Sequence, residues 1–447
     1  MMKTKTHGRL ITVLVVVLCL AALTAGWLCF DAFVDRSGWR EKDGQHYYRD
    51  FHGKKVTGWL QNEYGKYYLG DDSYMVTGWQ TIDGQTYWFG QDGTAVTGWQ
   101  EIDGSRYYFD GQGRQQRGWF PEGGSRYYLT PAMVTGWAEV DGARRYFDET
   151  GALASGWLTQ EDGVYYLDGD GVPVTGIQTI EEKNYYFDET GLRFRGWIDL
   201  DAGRYYFGDD GVMVTGWQTV NGKTFHFGDD GVETVGWLDD GEYRYYLTLN
   251  DGTVSGEQML EGKPYYFTPD GIYVLLVNDE NPIPKSYEPE LVDLDGKFQV
   301  ASVCVEALRK MLADCLAAGD VYSINNTYRS YEEQQKVLSD RIQRYMDEDP
   351  KLSEADATEK ARREVTRPGT SEHQTGLGMD INGDGVECCE WLKEHCWEYG
   401  FILRFPEGKE DITGIVYEPW HFRYVGTRVS IPMRDAGVCL EEYLGAA

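Results

Sequence analysis

A Gly-Trp pair recurs at Gly38, Gly58, Gly78, Gly98, Gly118, Gly136, Gly156, Gly196, Gly216 and Gly236. Gly176-Ile177 and Gly256-Glu257 keep the register with the tryptophan replaced. Few features restrict a fold more than a period of about twenty residues held this long, because each copy must be one supersecondary unit stacked on its neighbours. The copy beginning at Gly98 shows the grammar: Trp99, then Asp103-Gly104, then Tyr107-Tyr108-Phe109, then Gly111 and Gly113. Asp-Gly between short aromatic runs predicts a tight hairpin, whose turn needs positive φ at both central residues. A hairpin this small cannot bury its own aromatic face, so the repeats predict a β-hairpin solenoid over residues 31–272. The shortened interval from Gly118 to Gly136 carries Pro131 in place of the second Asp-Gly turn and reads as a loop deletion.

Composition agrees. With Trp 15, Tyr 33 and Phe 17 in 447 residues, the chain is too aromatic for disorder, and a net charge of −31 excludes a nucleic-acid partner. Lys3, Lys5 and Arg9 precede an uncharged run from Leu10 to Phe30. Twenty-one helical residues span about 30 Å, the thickness of a bilayer core. The reading is a basic cytoplasmic segment over 1–9, a transmembrane signal anchor over 10–30, and an exported C-terminus. A cleaved signal peptide is the rival, but Ala22-Leu23-Thr24-Ala25 is a poor cleavage site and Trp27, Leu28 and Phe30 extend the apolar run beyond it. Cys19 and Cys29 lie in this run; the six others show no paired C-x-x-C pattern and could form disulfides in an exported chain.

The rhythm stops after Gly271, and Asn281-Pro282-Ile283-Pro284 reads as a linker. Residues 273–447 are expected to form an α+β domain led by that linker. Helices are expected over Val303–Ala318, Glu332–Met346, Ser353–Arg363 and Trp391–Tyr399, with strands at Gly378–Asn382, Ile415–Glu418 and His421–Val425.

Two segments of this domain carry chemistry: Ser371-Glu372-His373-Gln374-Thr375-Gly376-Leu377-Gly378-Met379-Asp380 and Glu418-Pro419-Trp420-His421. His373, Asp380 and His421 suit the three-ligand set of a catalytic zinc, which leaves one position for water. The metal lowers the pKa of that water to about 7, and Glu418 can take its proton. Arg329 offers a planar fork for a carboxylate or an oxyanion. Glu372, expected to point away from the ligands in an extended segment, is left out of the site. His7, His46, His52, His226 and His395 read as ordinary histidines. Asp380-Ile381-Asn382-Gly383-Asp384-Gly385 copies the start of a calcium loop, but Trp391 stands where the bidentate glutamate belongs.

The repeats resemble the cell-wall-binding modules of Gram-positive surface proteins, the choline- and glucan-binding repeats. That resemblance implies that aromatics of successive hairpins hold a wall polymer, either choline-bearing teichoic acid or glucan. Trp59, Tyr67, Tyr68 and their equivalents also suit a solenoid core. The C-terminal domain resembles the VanY-type zinc D-alanyl-D-alanine carboxypeptidases, through Ser371-x-His373-x-x-Gly376-x-x-x-Asp380, Glu418-Pro419-Trp420-His421 and Tyr328-Arg329-Ser330-Tyr331-Glu332-Glu333-Gln334. The resemblance implies Zn2+ on His373, Asp380 and His421 and Glu418 as catalytic base. It also implies that Arg329 stabilises the carbonyl or the substrate carboxylate, and that Gln334 and Ser371 help bind the peptide end of a peptidoglycan stem. Gly378 departs from the alanine usual in the family. The chain is thus expected to be a membrane-anchored hydrolase displayed at the Gram-positive cell wall. An L,D-carboxypeptidase acting on tetrapeptide stems and a non-catalytic wall adhesin are the alternatives.

The uninterrupted apolar run makes membrane retention testable. The full-length protein is expected to stay with membranes through high-salt washing, with its C-terminus open to external protease. A mature chain beginning between Thr24 and Asp31 would refute the anchor.

Overall fold

The structure, a computed structural model, describes residues 36–382 and 390–447. The apolar run at 10–30, residues Gly383 to Cys389 of the calcium-like loop, and Cys388 and Cys389 themselves lie outside the described residues. Among the described residues no helix is long and apolar enough to cross a membrane. The chain divides into two compact units between Phe194 and Arg195, so the sequence boundary at 272/273 falls inside the second.

The first unit is a run of two-stranded antiparallel hairpins. Gly98–Ile102 pairs with Ser105–Phe109 and sets Trp99 opposite Tyr108. The turn residues Asp103 and Gly104 have φ of 52° and 76°, the left-handed pair that Asp-Gly supplies at low cost. The residue closing each hairpin after the first (Leu69, Phe89, Phe109, Leu129, Phe147, Leu167, Phe187) is buried. Apart from Trp119, which meets Phe147, each Gly-Trp tryptophan of this unit meets a tyrosine of the next hairpin edge-on, as Trp79 meets Tyr107 at 5.0 Å between ring centroids. Backbone bonds stitch the copies, with the Ala95 N–H donating to the Lys66 carbonyl at 2.7 Å and Gln115 to Thr86 at 2.8 Å. The aromatics therefore do supply a core shared between copies.

In the second unit the hairpins continue, and the last, Gly256–Leu260 with Lys263–Phe267, gains a short third strand at Tyr273–Val274. The C-terminal domain follows. Its antiparallel sheet comprises β1 (Ile324–Asn326), β2 (Gly378–Ile381), β3 (Phe401–Leu403) and β4 (His421–Tyr424), in the order β1-β2-β4-β3. The helix Val305–Ala317 lays Val305, Leu308, Met311 and Leu312 on Met379, Ile381, Phe401 and Phe422. Helices Tyr331–Glu348 and Glu354–Arg362 stand close to their expected limits, and the former begins with a Ser330/Glu333 capping box.

Three expectations change. Ile415–Glu418 is not a strand: Val416 bonds to the Arg363 carbonyl and Glu418 to the Phe405 carbonyl, so the segment is pinned to two loops. Glu372–Thr375 is a one-turn 3₁₀ helix, not extended chain. Cys304, Cys396 and Cys439 are buried free thiols. Burial pushes Cys304 and Cys396 up to about 12, so they pack as small apolar groups.

The hairpins and the C-terminal domain share a core. Tyr245, Leu247, Ile272, Val274 and Leu276 pack with Ile402, Val429, Met433, Leu440 and Leu444. The Tyr243 hydroxyl accepts from the Arg428 backbone N–H at 3.2 Å. The chain is already packed on the domain before it reaches the expected linker at 281–284. Removing the hairpins would expose this cluster to water. A fragment of residues 195–447 is therefore expected to unfold in one transition, above the melting temperature of a 275–447 fragment. Leu440→Ala should cost the longer fragment about 2–5 kcal/mol. Equal melting temperatures for the two fragments would show that the shared cluster contributes nothing.

Candidate metal centre

Sheet register builds the site. β2 and β4 place Asp380 directly opposite His421, and neighbours across antiparallel strands bring their side chains within reach. The Asp380 Oδ1 lies 3.1 Å from His421 Nδ1. His373 enters from the 3₁₀ helix, with Nε2 3.3 Å from Asp380 Oδ2. Its Nδ1 donates to the Thr327 carbonyl at 2.7 Å, which fixes the tautomer that leaves Nε2 as a lone-pair donor. One ligand atom from each of the three residues falls within 4.8 Å of the others. Two donors each about 2.1 Å from a tetrahedral ion stand about 3.4 Å apart, close to the spacings found here. The residues therefore fit a zinc ion.

The electrostatics match. Burial and the neighbouring Arg329 cation bring His373 down to about 4, so its imidazole is neutral. Burial opposes charge on His421 as well, yet Asp380 and Glu372 raise it to about 9. The protonated His421 imidazole holds the Asp380 carboxyl well below the usual carboxylate range, against the effect of burial. Protonated His421 is thus the cation of this cluster, and a metal ion must displace its proton to gain the Nδ1 lone pair.

Glu418 is also buried, with Oε2 3.6 Å from His421 Nδ1. Burial is the largest influence on it and lifts it to about 7, where a carboxyl group can both take and return a proton near neutrality. Arg329 donates through one guanidinium nitrogen to Gln334 Oε1 at 2.7 Å, and another lies 3.7 Å from Asp380 Oδ2. Gln334 also donates to the Thr366 carbonyl at 2.7 Å, so it orients Arg329. Ser371 is buried and makes no cap bond to the helix it precedes. All these residues line one cleft of about 580 Å³, together with Asn325, Asn326, Arg341 and Phe405.

Glu372 is the residue that the sequence reading missed. The 3₁₀ turn swings its side chain inward, where its Oε1 receives Arg404 Nε at 2.7 Å and lies 2.9 Å from Arg423. Its Oε2 is 3.8 Å from His421 Nε2, the ring nitrogen turned away from the cluster. The two guanidinium groups overcome burial and hold its carboxyl far below the usual range. Arg404 in turn forks onto Glu441 of the C-terminal helix, at 2.9 and 2.5 Å. Gly378 makes room for this arrangement, because a Cβ there would lie 3.0 Å from the Glu372 Cβ and 3.1 Å from His421 Nε2.

Comparisons with known proteins match two separate parts of the chain. Residues 297–427 match the VanY D-alanyl-D-alanine carboxypeptidase family. Residues 76–100, 96–132, 134–171 and 174–215 match the choline-binding repeat, and residues 215–232 match a cell-wall-binding repeat. A D-alanyl-D-alanine carboxypeptidase of Enterococcus faecalis is 39% identical over 177 residues, covering 38% of this chain and 65% of that protein. One from Enterococcus faecium is 30% identical over 192 residues, covering 38% and 57%. The chain thus spans less than two thirds of either relative. Among solved structures, VanYB in complex with D-alanine-D-alanine is 38% identical, covering 38% of this chain and 96% of that one, with a TM-score of 0.36. Choline binding protein F of Streptococcus pneumoniae is 28% identical, covering 51% and 96%, with a TM-score of 0.39.

A group that holds a ligand's outer nitrogen tunes metal affinity about 10–100-fold. Glu372→Gln, which leaves all three donors in place, is expected to weaken zinc binding by that factor in a competition titration against a chromophoric chelator. Unchanged affinity would reduce Glu372 to a purely structural ion-pair partner.

Proposed function

We propose that this chain, whose C-terminal domain belongs to the VanY family and whose stalk is built of choline-binding repeats, is a zinc-dependent D-alanyl-D-alanine carboxypeptidase that trims peptidoglycan stem peptides. The observation that carries this reading is the convergence of His373, Asp380 and His421, with Glu418 beside them, on one cleft. Those three residues would hold the metal, which when bound polarises the scissile carbonyl and acidifies the attacking water. Glu418 accepts the proton of that water and returns it to the amine of the departing D-alanine. Its position near 7 suits both transfers. Arg329, steadied by Gln334, presents its guanidinium to the substrate's terminal carboxylate or to the oxygen that gains charge. Ser371 offers a hydroxyl along the path of the peptide end. An inert adhesin has no use for ligands, base and Arg329 together.

The stalk binds a cell-wall polymer, and the apolar run over 10–30 keeps the chain in the membrane with the catalytic domain outside. The protein then works at the surface, within reach of nascent stem peptides.

Two variants separate metal binding from chemistry. Glu418→Gln should retain zinc while losing about 10²–10⁴ in turnover of a peptide ending in D-Ala-D-Ala. His421→Ala should lose zinc and activity together. Metal content by mass spectrometry and D-alanine release are measured on both, with tetrapeptide and pentapeptide stems. Loss of zinc in Glu418→Gln would make Glu418 a ligand, and full activity in that variant would place the base elsewhere.

A further inference from the structure

The C-terminal helix Leu440–Leu444 lies beyond the residues that match the VanY family, which end at 427. Its apolar side is accounted for, because Leu440 and Leu444 are buried in the core shared with the hairpins. Its Glu441 is buried as well, and a carboxylate is rarely buried without a cation. Here the cation is Arg404. Its Nη1 donates to Glu441 Oε2 at 2.9 Å and its Nη2 to Oε1 at 2.5 Å, the two-pronged geometry that a planar guanidinium favours. Its Nε donates to Glu372 Oε1 at 2.7 Å, so all three nitrogens are in use and two carboxylates share one guanidinium. Asn278, on the chain arriving from the stalk, adds a donor to Glu441 Oε1 at 3.4 Å. With Arg423 2.9 Å from Glu372, two buried carboxylates balance two buried guanidinium groups. Without Glu441 the cluster would keep an uncompensated positive charge away from water.

The segment that Glu441 anchors touches both halves of the site. The Arg404 backbone N–H donates to the His421 carbonyl at 3.0 Å, and the Phe405 carbonyl accepts from the Glu418 N–H at 3.1 Å. The Phe405 ring lies 5.0 Å from the His421 imidazole. At the far end of the same loop, Lys409 Nζ donates to Glu442 Oε1 at 2.7 Å. Both ends of the stretch from Arg404 to Lys409 are therefore fastened to one short helix, through its adjacent glutamates. Glu372 completes the connection, since its Oε2 stands 3.8 Å from His421 Nε2.

We infer that Glu441 is a positioning residue of the metal site, acting through Arg404 and Glu372 on His421. By occupying both terminal nitrogens of Arg404, it leaves only Nε for Glu372. One oxygen of Glu372 is then free to face the outer nitrogen of His421. With Glu441 neutralised, the carboxylate left to the fork of Arg404 is that of Glu372, and turning onto it draws Glu372 away from the imidazole. Glu441 itself touches neither a ligand nor the cleft. This rests on the reading of His373, Asp380 and His421 as zinc ligands and extends it to a helix outside the matched residues.

Competition titration of zinc against a chromophoric chelator tests it on the full-length protein, with the melting temperature of the zinc-free chain measured alongside. Glu441→Gln keeps the size of the side chain and removes its charge. It is expected to weaken zinc binding about tenfold, the low end of the range for groups that hold a ligand directly. Leu444→Ala loosens the same helix and leaves every charge in place, so it should lower the melting temperature at wild-type zinc affinity. Glu441→Asp, which keeps the charge on a shorter arm, should fall between wild type and Glu441→Gln. Wild-type affinity in Glu441→Gln would overturn the inference. Equal weakening in Leu444→Ala would overturn it too, by making the helix a support of the fold alone. If Glu441→Gln does not fold, Glu441→Asp decides: a several-fold loss of affinity supports the inference and wild-type affinity refutes it. Zinc bound by the wild-type chain and unmoved by Glu441→Gln leaves the zinc reading standing, whereas a wild-type chain that takes up no zinc removes both.

Discussion

A carboxylate buried between two guanidinium groups holds the catalytic domain's centre together. Glu372 meets Arg404 at 2.7 Å and Arg423 at 2.9 Å, and all three are nearly inaccessible to water. Bringing such charges out of water costs several kcal/mol per ion, and removing one partner of a buried pair typically costs about 3–5 kcal/mol. What the arrangement secures is geometry. Glu372 lies on the turn that carries His373, Arg423 lies on the strand that carries His421, and Arg404 follows the edge strand β3. Glu441 ties the C-terminal helix to the same cluster. The free carboxylate oxygen of Glu372 then faces the outer nitrogen of His421 and leaves Nδ1 turned toward Asp380.

The four residues closest to the chemistry were legible in the sequence because their types and spacings carry it. Two histidines and an aspartate in fixed motifs, with a glutamate three residues before the second histidine, leave few other uses. The support beneath them was not legible. Treating Glu372 as part of an extended segment pointed it away from the site, whereas the one-turn helix points it in. Arg404 and Glu441 stand in no motif, and only folding brings them under the site. Gln334 was read as a substrate contact; it lines the cleft, and its amide also bridges Arg329 to the Thr366 carbonyl. Gly378, noted in the sequence as a departure from alanine, leaves room for the Glu372 Cβ and the His421 ring.

The repeats were easier, since Asp-Gly at a hairpin turn needs a backbone conformation that few other pairs adopt, and the period follows from it. The lysine or arginine seven residues after six of the tryptophans was equally visible as a letter. Its meaning required the register that lays it across the indole ring, as Arg106 lies over Trp99. The boundary between stalk and domain was least legible. A proline-rich stretch at 281–284 suggested a linker, yet the chain from Tyr273 to Val277 is already packed. Leu276 joins the shared apolar cluster, and Val277 to Asp279 form one side of the catalytic cleft. The hairpins from Arg195 onward and the C-terminal domain thus belong to one compact unit.

The central claim is that hydrolysis depends on one metal ion held by His373, Asp380 and His421. It is tested most directly by stripping the full-length protein with chelator and titrating zinc back while following D-alanine release from a stem pentapeptide. The expected result is no release from the stripped protein and a linear rise that ends at one equivalent of zinc per chain. Release by the stripped protein at the wild-type rate, or none after zinc has rebound, would contradict it.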